Sequence, residues 1–139
     1  MTLPFRKLRI IGEYMMSEVL NVNGQKILKH LVKNVLPNAK IVKPLGEVRN
    51  TTTYKKVHED LGLPYRGRTY GISLENHGLR NMSEWAFDNG LPAIGGLITN
   101  EDRTENFLGE GYLKLLERYR STWVDEIEKA QNTDWSPYL

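Results

Sequence analysis

The chain runs to 139 residues without a single cysteine, so its fold has to be held by an apolar core and hydrogen bonds alone. The same absence removes disulfide frameworks, thiolate metal sites and cysteine nucleophiles, and it fits a reducing compartment. The length suffices for one domain with a sizeable core. Hydrophobic residues make up 40% and charged residues 26% of the chain, the balance of a folded protein rather than a disordered one. No apolar run approaches the roughly 20 residues of a membrane helix. The basic start at Arg6, Lys7 and Arg9 is not followed by an apolar stretch of signal-peptide length. A cytoplasmic protein without membrane contact is therefore expected.

Apolar periodicity organises the rest. Asn23 reads as an N-cap, and Ile27, Leu28, Leu31, Val32, Val35 and Leu36 follow at helical spacing up to Pro37. Lys26, Lys29, His30 and Lys33 fall largely off that stripe, which makes 23–36 an amphipathic helix with a basic back. Residues 5–11 fit either a short strand or the first turn of a helix, and Ile41-Val42 a short strand. A second helix is expected over 51–63, capped by the threonines 51–53, striped by Tyr54, Val57 and Leu61 and stopped by Gly62. A loop with Pro64, Gly67 and Gly71 follows and carries Arg66 and Arg68. A third helix is expected over about 74–89, closed by Asn89-Gly90. Leu91–Thr99 reads as a strand weakened by Gly95-Gly96, and Leu108–Tyr112 as its partner in a hairpin. The last helix is expected over about 112–131. The class is α+β and mostly helical: one domain over 1–139, with a winged helix-turn-helix-like core at about 51–117, a β-hairpin wing and a C-terminal helix.

Charge is split along this chain. Residues 1–68 hold 13 Lys/Arg against 5 Asp/Glu, and residues 69–139 hold 6 against 12. A polarised chain of this kind either presents one basic face to a polyanion or simply solvates both halves. Lys43, Arg49, Lys55, Lys56, Arg66 and Arg68 gather around the second helix and its loop. In a winged helix such residues meet phosphates. Tyr54 at a helix start suits a phosphate contact through its hydroxyl, or equally a plain place in the core.

Motifs that carry chemistry are scarce. His30, His58 and His77 have no second ligand at a recognised metal spacing. There is no Gly-x-Ser-x-Gly elbow and no phosphate loop, and no acidic residue is followed two places later by lysine. Glu101, Asp102, Glu105 and Glu110 read as a solvated hairpin tip more readily than as a cation site. No catalytic residue, metal or cofactor is expected.

Five short segments carry a resemblance. They are Thr53-Tyr54-Lys55-Lys56-Val57, Arg80-Asn81-Met82-Ser83, Asn89-Gly90-Leu91-Pro92, Gly109-Glu110-Gly111-Tyr112 and Lys114-Leu115-Leu116-Glu117. In order and spacing they are similar to the winged-helix domain of alkylguanine-DNA alkyltransferases and alkyltransferase-like proteins, over about 65 residues. The resemblance implies that Tyr54 turns a phosphate, that Arg80 fills the gap left by a flipped base, and that the helix carrying Arg80 lies in the minor groove. The family's proline-cysteine-histidine-arginine block would fall near Gly95–Asn100, where none of it is present. Alkyl transfer is excluded, because no thiolate exists to accept the group. Glu75, Glu84 and Asp88 on the same helix are an adverse load opposite phosphates. The Asn-Gly-Leu-Pro segment followed by Gly-x-Gly-aromatic also resembles small proteins of phages and prophages.

The expected function is non-catalytic nucleic-acid binding, duplex DNA foremost, through Tyr54, Lys55, Lys56, Arg66, Arg68, Arg80 and Asn81. One alternative is a small phage-type protein that docks on a host protein, its acidic second half imitating DNA. Another is a nucleotide or small-molecule binder, or an unrecognised hydrolase, whose site would use Tyr65, Tyr70, Trp85 and Trp123 with Arg66 or Arg68 against a phosphate.

Overall fold

Ile27, Leu28 and Leu31 are wholly buried because α1 (Val22–His30) and the wide π-type turn after it (Leu31–Val35) turn one apolar stripe inward. The computed structural model describes residues 9–11, 14–16, 18–102 and 107–139. Arg6, Lys7 and Glu105 lie outside them. The cap of α1 is Asn21 rather than Asn23: Asn21 is extended and its side chain accepts from the Gly24 amide at 2.7 Å, whereas Asn23 already lies within the helix.

The order continues through two antiparallel pairs, β1 (Arg9–Ile11) with β2 (Tyr14–Met16) and β3 (Lys40–Val42) with β4 (Glu47–Arg49). The strand alternative at 9–11 is the one adopted. Next come β5 (Thr52–Thr53), α2 (Tyr54–Asp60) capped by Thr53, and α3 (Tyr70–Leu74) capped by Thr69. A π-type turn at Glu75–Leu79 joins α3 to α4 (Arg80–Asp88). The third helical region thus starts four residues earlier than its spacing predicts. Two glycines allow α1 to cross it closely. A Cβ on Gly78 would stand 2.6 Å from the Gly24 amide nitrogen, and one on Gly24 2.6 Å from Asn81 Oδ1. A side chain at Gly78 would meet the backbone of α1 and force the two segments apart, and one at Gly24 would displace the Asn81 amide.

The mostly helical α+β class is as expected, and β3–β4 supplies a small hairpin, but 91–112 does not form one. Residues 91–99 are buried without exception. They run through a short 3-10 turn (Ile94–Leu97) into β6 (Ile98–Thr99), which pairs parallel with β5. The expected returning strand is instead the start of α5 (Glu110–Tyr119). The physical reason lies in side chains from the C-terminal helices. Tyr112 Oη donates to the Ala93 carbonyl, Tyr119 Oη to Leu91 and Trp123 Nε1 to Gly96, each at 2.9 Å. Glu126, itself buried, accepts from the Ala93 amide at 3.0 Å. Backbone groups satisfied in this way need no hairpin partner.

The C-terminal helix is also two helices. Arg120 adopts a left-handed conformation that ends α5, and Thr122 caps α6 (Trp123–Gln131) by accepting from the Asp125 amide. Among the described residues, no helix is long and apolar enough to cross a membrane.

Candidate functional site

The wide turn between α3 and α4 leaves a cleft of about 490 Å³ against the start of α5. Tyr54 reaches it from the first turn of α2, and Ile72, Glu75, Arg80 and Ser83 from α3, the wide turn and α4. Gly95 and Asn100 border it below, and Gly109, Gly111 and Lys114 close the far side. Tyr54 and Arg80, 26 positions apart, therefore share one cavity, which also runs along the segment where the sequence lacks an active-site block.

Tyr54 is only 8% exposed. Its hydroxyl packs so closely on Gly109 that a Cβ there would collide with it. No described residue hydrogen-bonds that hydroxyl. Burial, with the nearby Glu75 charge, pushes the phenol up to about 12, so it stays protonated and available as a donor.

The charges of the cleft are sorted by depth. Arg80 and Lys114 stand at the rim, 71% and 72% exposed, whereas the Glu75 side chain is 27% exposed. Glu84 is also deep but is matched by Arg118 at 2.7 Å, a charge-assisted bond of full strength. Glu110 pairs with Lys114 at 3.6 Å on the outside. Glu75 is different. Its only ion pair among the described residues is with Arg80 Nε at 3.9 Å, beyond hydrogen-bond reach. Burial raises its carboxyl above the ordinary value, Arg80 opposes this and the Glu84 charge adds to it. A deep carboxylate without full compensation is a feature of sites rather than of scaffolds.

The other expected contacts have separate places. Lys55 and Lys56 are exposed on α2 but face Glu59 and Asp60 one turn on, at 4.0 and 3.4 Å. Lys55 also stands 6.0 Å over the Tyr70 ring, beside the Thr69–Gly71 wall of the cleft. Arg66 and Arg68 are exposed on the loop and make no ion pair among the described residues. That loop is pinned from beneath. Ser73 Oγ accepts from the Arg66 amide and bonds His58 Nε2, both at 2.8 Å. His77 Nε2 donates to the Pro64 carbonyl at 2.6 Å. Asn81 is not at the cleft: its amide bonds the Asn21 nitrogen and the Val19 carbonyl and ties the approach to α1 onto α4.

Of the aromatics expected to share a site, only Tyr65 and Tyr70 meet, at 4.8 Å; Trp85 packs on Tyr138 and Trp123 under Gly96. Of the three helical carboxylates, Asp88 is buried and accepts from the Glu18 amide, and Glu84 pairs with Arg118, so neither burdens an anion-binding face. In sequence, Glu75 reads only as such a burden. No local rule pairs residues five apart, and a π-type turn is what sets Glu75 beside Arg80. Among the described residues, no group of His, Asp or Glu is placed to hold a metal ion. Compared with protein-family models, curated proteins and solved structures, the chain matches none.

Proposed function

We propose that the protein binds nucleic acid, duplex DNA foremost, and draws one nucleotide into the cleft without chemistry upon it. The observation that carries this reading is the convergence of Tyr54 and Arg80 on a cavity whose rim is cationic and whose interior is aromatic and acidic. A nucleotide has the complementary profile, with its anionic phosphate outward and its base inward. Arg80 and Lys114 serve the phosphates at the rim, and Lys55, Arg66 and Arg68 extend that contact over the adjoining wall. Arg66 and Arg68 matter most there, since Lys55 and Lys56 are already partly neutralised.

Fluorescence anisotropy with a labelled duplex, titrated between about 50 and 200 mM salt, tests the proposal. Affinity should fall steeply with salt, and replacing both Arg66 and Arg68 by alanine should reduce the logarithmic slope by about 2. Binding that is absent at low ionic strength, or indifferent to salt, overturns it. A nucleoside monophosphate that binds where the duplex does not transfers the cleft to a free nucleotide.

A further inference from the structure

Two side chains in the cleft have polar groups that the fold itself does not satisfy. The Tyr54 side chain is largely buried, and its hydroxyl has no hydrogen-bond partner among the described residues. The Glu75 carboxylate is held at depth with a single guanidinium too distant to bond it. Every other carboxylate lining the cleft is matched, Glu84 by Arg118 and Glu110 by Lys114. The interior therefore has one negative charge beside a phenol ring, while the balancing cation, Arg80, is turned toward solvent. Such an arrangement disfavours an anionic or electron-rich edge and favours a positive one.

We infer that the cleft selects a nucleobase whose ring is positively charged, as ring-nitrogen alkylation makes it, with Glu75 as the residue that sets this preference. The inference rests on the nucleic-acid reading and deepens it. A cationic ring entering beside Tyr54 neutralises Glu75 and meets the phenol face as a cation–π partner. Arg80, released from its loose pair, is then free for the phosphate of the same nucleotide. An uncharged base gains neither effect, and it leaves the carboxylate as poorly compensated as before. Arg118 is held by Glu84 at 2.7 Å, and Lys114 stands at the exposed rim where the phosphates lie.

The test uses three duplexes that differ at one central position: adenine, 1-methyladenine, which is cationic at neutral pH, and 1,N6-ethenoadenine, which is neutral yet equally unable to pair. The ethenoadenine duplex separates charge from ease of extrusion. Wild type should bind the 1-methyladenine duplex about tenfold more tightly than the ethenoadenine duplex. Glu75→Gln should bring that ratio close to one, and Glu75→Asp should restore part of it. Removing a poorly compensated carboxylate relieves a cost to the fold, so Glu75→Gln should melt no lower than wild type. Equal binding of the 1-methyladenine and ethenoadenine duplexes by wild type, or an unchanged ratio in Glu75→Gln, overturns the inference and leaves the nucleic-acid reading standing. Failure to bind any of the three at low salt removes the nucleic-acid reading, and the inference with it.

Discussion

Residues 61–69 and residues 91–99 are both glycine-containing connections of similar length, yet they are held in opposite ways. The first lies on the surface and is fastened by three groups beneath it, His58, Ser73 and His77. The second is buried throughout and takes its backbone partners from four side chains far along the chain, Tyr112, Tyr119, Trp123 and Glu126. A connection pinned by near neighbours can yield locally, and one pinned by two distant helices can yield only with the whole fold. The cleft lies between the two, with Thr69 from the first and Gly95 from the second among its walls. One wall is thus fit to move and the other to stay.

The largest expected effect tests the rigid wall. A Cβ on Gly96 would run into the Tyr112 hydroxyl and approach Trp123 Cδ1 to 2.9 Å, both of them groups that tie down 91–99. Gly96→Val should therefore cost about 3 kcal/mol and lower Tm by roughly 10 °C. Calorimetry that showed an unaltered melting temperature would mean that 91–99 is not clamped by α5 and α6. Ser73→Ala, a smaller change, tests the other wall. It removes the acceptor for the Arg66 amide and a partner of buried His58, at a cost of about 1–2 kcal/mol. Hydrogen exchange should then quicken at Arg66 while the Leu91 amide, bonded to the Ala86 carbonyl, keeps its protection. Equal loss at both would abolish the distinction between the walls.

This contrast also marks what could be read from the residues alone. The helices around 22–36 and 54–60, and the part of the third region from 74 to 88, are visible in sequence because their determinants are local: an apolar stripe, a threonine or asparagine cap, a closing glycine. The 91–112 region is not, because Tyr112, Tyr119, Trp123 and Glu126 decide its course from 19 to 33 positions away. Gly95-Gly96 read as a weakness in a strand when its purpose is to admit Tyr112 and Trp123. At the cleft, the motif segments point to Tyr54 and Arg80, and the two do share one cavity. Asn81 came with the same motif but serves the packing of the N-terminal approach. In sequence, Glu75 reads only as a charge of the wrong sign. Its position depends on a π-type turn, and its importance on Glu84 and Glu110 already having partners, neither of which has a signature along the chain.

The smallest expected effect is a pH dependence confined to the surface wall. Burial lowers the imidazole pKa of His58 below its ordinary value of 6.5, the neighbouring His77 adds to this, and Glu59 works against it. The rings of His58 and His77 stand 5.7 Å apart, with Tyr65 and Tyr70 against His58. A histidine whose folded pKa lies below its unfolded value binds its proton more readily when unfolded. Its contribution is therefore complete above pH 6.5 and is lost as pH falls from 6.5 toward the folded value. Protonation would place a charge in the contact that pins Arg66 through Ser73, while residues 91–99 have no histidine among their partners. Exchange at the Arg66 amide should accordingly rise on acidification through this window before exchange at Leu91 does, and His58→Asn should flatten the response. A simultaneous rise at both amides, or a response that survives His58→Asn, would show that acid loosens the fold as a whole and that the two walls of the cleft are not separately held.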